Sequence, residues 1–196
     1  MNPDAPDDAN LETLLSDSES SDALAWLSQV ELQGRVTPPS PDLKQRLLET
    51  LDHGGRFERF SLATAQLLDL PQEQAQRLLD QVDDPAVWGP GLMPGMALFH
   101  VQGGPAVREA ITGFVRMEAG VVHPEHEHFG EESVLLLQGS CIDEGRILRP
   151  GDRVVMPAGS QHSFTVRPGP DLLYLAVVHK GFRMGELALY PGDPRA

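Results

Sequence analysis

Two short runs, Gly120 to Gly139 and Gly151 to His162, constrain this chain more than any other feature. The first reads glycine, five residues, His126, one residue, His128, three residues, Glu132, six residues, glycine. The second reads glycine, five residues, Pro157, one residue, Gly159, two residues, His162. In a strand, positions i and i+2 face the same way, so His126 and His128 point together while Glu127 points out. Glu132 has the same parity across a turn at Phe129-Gly130, and a later strand brings His162 alongside. Pro157 and Gly159 suit the tight turn that aims His162 inward. Three imidazoles and one carboxylate form a donor set for a divalent first-row metal with one or two positions open. Cys141 is the one cysteine, which excludes thiolate-rich zinc sites. The metal ligands expected are therefore His126, His128, Glu132 and His162, on zinc, with iron, manganese and nickel also suited to this set.

The surroundings read as a β-barrel. Runs rich in Val, Leu, Phe and Thr lie at 96–101, 111–117, 133–138, 153–156, 162–166 and 172–178, separated by Gly, Pro and Asp turns. Close spacing without intervening helices indicates an antiparallel barrel or sandwich. Val134 and Leu136 share the inward parity of Glu132, and Phe164 and Val166 that of His162. Leu135 and Leu137 face the other way, so something covers that strand's outside, either the helical half or another subunit. The interior reads as apolar, with no evident general acid, base or oxyanion donor beyond the metal. His123, in the segment entering the site, reads as a surface histidine rather than an added ligand. His100 reads as a hydrogen-bonded structural residue, and Cys141 as a buried or half-buried one without thiolate activation.

Upstream the composition changes. Residues 1–34 hold eight acidic side chains and no Lys, Arg or His, so this segment carries −8 of the net −14. That balance argues against direct nucleic-acid binding, which needs basic side chains for phosphates. The segment reads as an acidic disordered tail (1–22) followed by a helical region (23–90), with the barrel at 91–196. Ala23, Trp26, Leu27 and Val30 form one helix face. Ser40 and Pro41 start a second helix, with Leu43, Leu47, Leu48 and Leu51 on its apolar side. A third helix is expected over Ser61 to Asp69. A fourth begins at Pro71, with Ala75, Leu78, Leu79 and Val82 on one side. No apolar run reaches membrane-spanning length. The start Met1-Asn2-Pro3-Asp4 lacks signal-peptide character, so the expectation is a cytoplasmic protein without membrane contact.

The two runs resemble the paired signature motifs of the cupin superfamily, with Val166 where that pattern usually has Asn. The resemblance implies a mainly β fold, an antiparallel cupin barrel (double-stranded β-helix or jelly-roll) preceded by a small all-helical region. Together with Pro38-Pro39-Ser40-Pro41-Asp42-Leu43-Lys44-Gln45-Arg46-Leu47-Leu48, the arrangement is similar to anti-sigma factors of the ChrR type. These join a helical sigma-binding domain to a zinc-binding cupin, and their ligands carry over onto His126, His128, Glu132 and His162. The chain departs from that family in having no Cys before 141 and no His before 53, so the N-terminal zinc motif is missing. Two function classes stay open. One is a regulator or sensor that binds a sigma factor or other basic protein through residues 1–90. The other is a metal-dependent enzyme, a dioxygenase or isomerase, acting on a small molecule in the barrel. Outward apolar strands also allow a homodimer.

Overall fold

Alternating burial is what β-rich sequence produces when one face meets a core and the other meets water, and from Gly89 onward this pattern builds two sheets. The structure is a computed structural model that describes residues 55–193 with Ser40 and Arg195. All of these except Ser40 fall in one unit, Leu48–Ala196. The acidic tail, the Trp26 and Leu43 helix faces and the Pro-rich segment lie outside the described residues.

The strands are β1 (Gly89–Pro90), β2 (Met96–His100), β3 (Ala110–Met117), β4 (Val122–His128), β5 (Glu132–Gln138) and β6 (Cys141–Asp143). They continue as β7 (Arg146–Leu148), β8 (Arg153–Met156), β9 (Gln161–Val166), β10 (Leu172–His179), β11 (Phe182–Met184) and β12 (Leu187–Leu189). One six-stranded sheet has the order β1-β2-β3-β10-β5-β8, the other β12-β11-β4-β9-β6-β7. Every pairing is antiparallel. The six expected strands are present within a residue or so of their expected ends. The chain crosses between the sheets repeatedly, and this two-layered antiparallel β architecture, with helices ahead of it, is the expected fold class.

Helix α1 (Ser61–Leu68) ends on Asp69, which adopts the left-handed conformation (φ 54) while Leu70 N–H donates to Ala65 O at 2.9 Å. That is an αL stop made by an Asp, one of the few non-glycine residues that tolerates it. Helix α2 (Gln72–Gln81) follows Pro71, and Ala75, Leu79 and Val82 are buried on the expected side.

Two apolar cores result, one on each face of the first sheet. The inner core holds Met117, Leu136, Val166, Leu172, Tyr174 and Val178. The outer core packs Leu68 and Leu79 of the helices, with Phe60 just ahead of α1, against Leu135, Leu137, Leu175 and Val177. The opposite parities of Leu136 and of Leu135 and Leu137 are thus satisfied, with α1 and α2 as the cover. Among the described residues no helix is long and apolar enough to cross a membrane.

Leu68 is fully buried at the helix–sheet junction. Leu68→Ala should cost about 2–5 kcal/mol through lost burial and a residual cavity. Urea unfolding of the full chain should show that loss in the transition of the β-sheet signal. A sheet transition that does not shift would mean the helices are not part of the barrel's cooperative unit.

Candidate metal centre

His126, His128, Glu132 and His162 are all buried, and one donor atom from each lies within 4.8 Å of the other three. Three strands supply them: β4 the first two, β5 the carboxylate and β9 the last. His126 is paired directly with His162 across the β4–β9 ladder. The second sequence run does more than position His162. Its turn is stitched to the first run by two backbone bonds, Gly159 N–H to His128 O at 2.7 Å and His128 N–H to Ser160 O at 3.0 Å. Gly159 sits at φ 80, a left-handed conformation that favours glycine. Glu127 points outward, as parity requires, and pairs with Arg183 on β11.

Hydrogen-bond partners fix which nitrogen of each ring is protonated. A carbonyl only accepts, so the contact of His126 Nδ1 with Pro124 O at 3.1 Å puts the proton on Nδ1. His162 Nδ1 likewise donates to the buried Asp143 carboxylate at 3.0 Å. In the neutral rings both Nε2 atoms present lone pairs, and they face one another at 3.0 Å. His128 is 1% exposed and neither of its nitrogens has a hydrogen-bond partner. Its Nε2 lies 3.4 Å from Glu132 Oε2. Orphaned buried polar atoms cost about 1–3 kcal/mol each, and facing lone pairs repel, so the arrangement suits a cation at its centre. Bonds of about 2.0–2.2 Å to zinc imply donors separated by roughly 3–4.5 Å, near the spacing seen. The residues fit a divalent ion.

Charge follows the same logic. Burial, then the neighbouring histidines, lowers the pKa of His126 to about 3. Burial chiefly lowers that of His128 to about 4, so both rings are neutral at neutral pH. Burial pushes the Glu132 carboxyl up to about 7. At His162, burial pulls the pKa down, but the hydrogen bond and charge of Asp143 outweigh it and the net direction is upward. Asp143 is a buried partner of the cluster that the sequence reading missed. It is buried on three-residue β6, and it fixes the His162 tautomer as a carboxylate–histidine pair does behind a metal.

Three other residues complete the picture. His123 is not on the surface, as expected of the segment entering the site, but 6% exposed on the cavity wall. The cause is a β-bulge. His123 lies opposite Phe164 and His126 opposite His162, so Pro124 and Glu125 on β4 face Ser163 alone on β9. The extra residue reverses the parity upstream. A proline inside the strand was the sequence sign of it. His100 is the last residue of β2, paired with Gly113 on β3, but its side chain is exposed, and it too borders the cavity. Cys141 is buried, and burial pushes its thiol up to about 11, consistent with an inert residue. The cavity beside the four side chains measures about 100 Å³ and is walled by Leu136, Phe164, Tyr174 and Phe182 among others. One water needs roughly 10–15 Å³ by this measure, so a ligand of several atoms fits.

Two outcomes are expected. Asp143→Asn should weaken metal affinity about 10–100-fold with unchanged stoichiometry at saturation, as read by competition with a chromophoric chelator. An unchanged affinity would remove Asp143 from the centre. Burial pushes Glu132 up to about 7, so at pH 6 it holds a proton that an ion must displace, whereas His126 and His128 hold no extra proton. Calorimetry in two buffers should show about one proton released per ion at pH 6, and fewer at pH 8. Equal release at both values would contradict this.

The sequence pattern of the ChrR cupin-like domain family matches residues 80–180. No curated protein matches the chain. Among solved structures, a chain of the Rhodobacter sphaeroides complex of SigE with the anti-sigma ChrR is 21% identical, covering 82% of this chain and 78% of that one, with a TM-score of 0.49. An acetylacetone dioxygenase from Acinetobacter johnsonii is 13% identical, covering 55% of this chain and 82% of its own, with a TM-score of 0.48. KdgF from Halomonas sp. is 23% identical, covering 50% and 88%, with a TM-score of 0.40. Because the family pattern spans more than half of the 196 residues and contains all four clustered side chains, the chain belongs to the ChrR cupin-like domain family.

Proposed function

We propose that this protein is a metal-binding regulatory cupin in which His126, His128, Glu132 and His162 hold one divalent ion, zinc in the first instance. The observation that carries the reading is His128, buried with both ring nitrogens unpartnered beside a carboxylate that burial pushes up to about 7. When bound, the ion supplies a Lewis acid able to take an oxygen-donor ligand. The protein's own part is to keep His126 and His128 neutral, to hold the proton of His162 on Nδ1 through Asp143, and to exclude bulk water with an apolar wall. The regulatory half of the reading rests on membership of the family and on the sequence. Residues 1–90 engage a sigma factor or another basic protein. The acidic stretch provides long-range attraction, and the faces at Trp26, Leu27 and Val30 and at Leu43, Leu47 and Leu51 provide the specific contact.

A second reading, a metal-dependent dioxygenase or isomerase, is favoured by one observation, the cavity of about 100 Å³ beside the four side chains. Its volume and apolar wall suit a small molecule.

His126→Ala combined with His162→Ala should abolish metal binding, since two of four donors are lost. A full equivalent of metal in that double variant would refute the centre. Full-length protein should capture a purified sigma factor at low salt. Capture should weaken as ionic strength rises, the screening length being about 10 Å at 0.1 M. Charged substitutions at Trp26 and Leu47 should abolish capture while leaving metal content intact. No capture at low salt, together with oxygen consumption by iron-loaded protein on a small diketone, would replace the regulator by the enzyme.

A further inference from the structure

The bulge in β4 places a fourth imidazole in the barrel, and nothing in the proposed centre uses it. His123 Nδ1 lies 3.0 Å from Pro124 O, the same carbonyl that accepts from His126 Nδ1 at 3.1 Å. One bulge carbonyl therefore sets the tautomer of both rings, and each is left with Nε2 as a hydrogen-bond acceptor. For His126 that nitrogen belongs to the clustered donors. For His123 no partner of Nε2 is found among the described residues. The ring is held firmly: it stacks on Phe164 at 4.9 Å with 22° between planes and lies 4.3 Å from the His126 ring. It is buried, borders the cavity, and stands apart from the four residues whose donor atoms converge. An acceptor on the cavity wall that the protein leaves unpaired is open to a donor carried by a guest in the cavity.

We propose that His123 is a specificity-determining residue of the barrel, whose Nε2 accepts a hydrogen bond from an O–H group carried by the bound ligand. The ligand class is a small chelating molecule that bears a hydroxyl beside its metal-binding oxygen, such as an α-hydroxy acid. The hydroxyl proton distinguishes it from an ether of the same skeleton, which offers His123 nothing to accept. The cavity of about 100 Å³ limits the guest to several atoms, and the apolar remainder of the wall leaves few competing polar partners. This inference rests on the metal-binding reading above, because the ligand's other oxygen needs an ion to hold it.

The test uses cobalt(II)-loaded full-length protein with glycolate and methoxyacetate as probes, followed by the cobalt absorption spectrum. Metal content is measured first. Failure of the wild-type chain to take up cobalt sinks the metal reading and this proposal together. With cobalt bound, wild type should prefer glycolate by about fivefold to tenfold, the worth of one hydrogen bond. His123→Phe should keep its cobalt and lose the preference, and His123→Gln, whose amide oxygen can accept, should recover part of it. Absence of a preference in wild type overturns the proposal while leaving the metal reading intact. A preference that survives in His123→Phe would be steric and overturns it equally. Loss of cobalt from both variants would make His123 part of the metal centre itself, which also overturns it.

Discussion

Burying three imidazoles and a carboxylate within a few ångströms of one another is the constraint from which this structure is organised. Each group carries a desolvation cost that apolar packing cannot repay. The protein offsets some of it with fixed partners, the Pro124 carbonyl for His126 and the Asp143 carboxylate for His162. What it leaves is gathered around one point: a ring nitrogen of His128, whose two nitrogens are both unpartnered, the carboxyl of Glu132, and the Nε2 atoms of His126 and His162, which face one another. A random polar defect would not converge its unmet valences on one point. Two backbone bonds between His128 and the Gly159–Ser160 turn tie the two sequence runs together at this point.

Strand β5 links that centre to the rest of the molecule. It carries Glu132 into the barrel, while Leu135 and Leu137 enter the core beneath the helices. Strand β10, buried along almost its whole length, does the same between β3 and β5. The first sheet consequently has apolar contacts on both faces, and α1 and α2 are the cover that an antiparallel sheet otherwise exchanges for solvent. Their position explains why a segment that looks like a separate helical half contributes residues to the barrel's own packing.

Much of this was legible in the sequence, for identifiable reasons. The six long strands were readable because β-branched runs between Gly and Pro turns have a strong period. The four clustered side chains were readable because spacing translated directly into facing. Legibility failed where the structure departs from simple alternation or is very short. His123 was read as a surface histidine because it stands in the segment entering the site, whereas β4 already includes it and a break in the ladder turns it inward. Pro124 was the one local sign that the ladder breaks. Asp143 escaped because β6 is three residues long and nothing in Cys141-Ile142-Asp143 marks the carboxylate as inward. Its role follows only from the register that sets Asp143 opposite Phe164, diagonal to His162. His100 does lie in the strand that the apolar run marks, but at its last residue, where the side chain is exposed.

The bulge has a consequence for how such a barrel can change. Because the surplus residue is accommodated opposite Ser163 without shifting the pairing on either side, loss of a single codon at Pro124 or Glu125 would make the ladder regular and leave His123 opposite Phe164 and His126 opposite His162. No substitution is required, and the inward side chains of β4 would keep their facing. What the chamber would lose is the extra peptide at the bend, whose carbonyl is the shared acceptor for two rings. In this barrel the protonation pattern of the ligand chamber is encoded in chain length as much as in residue identity.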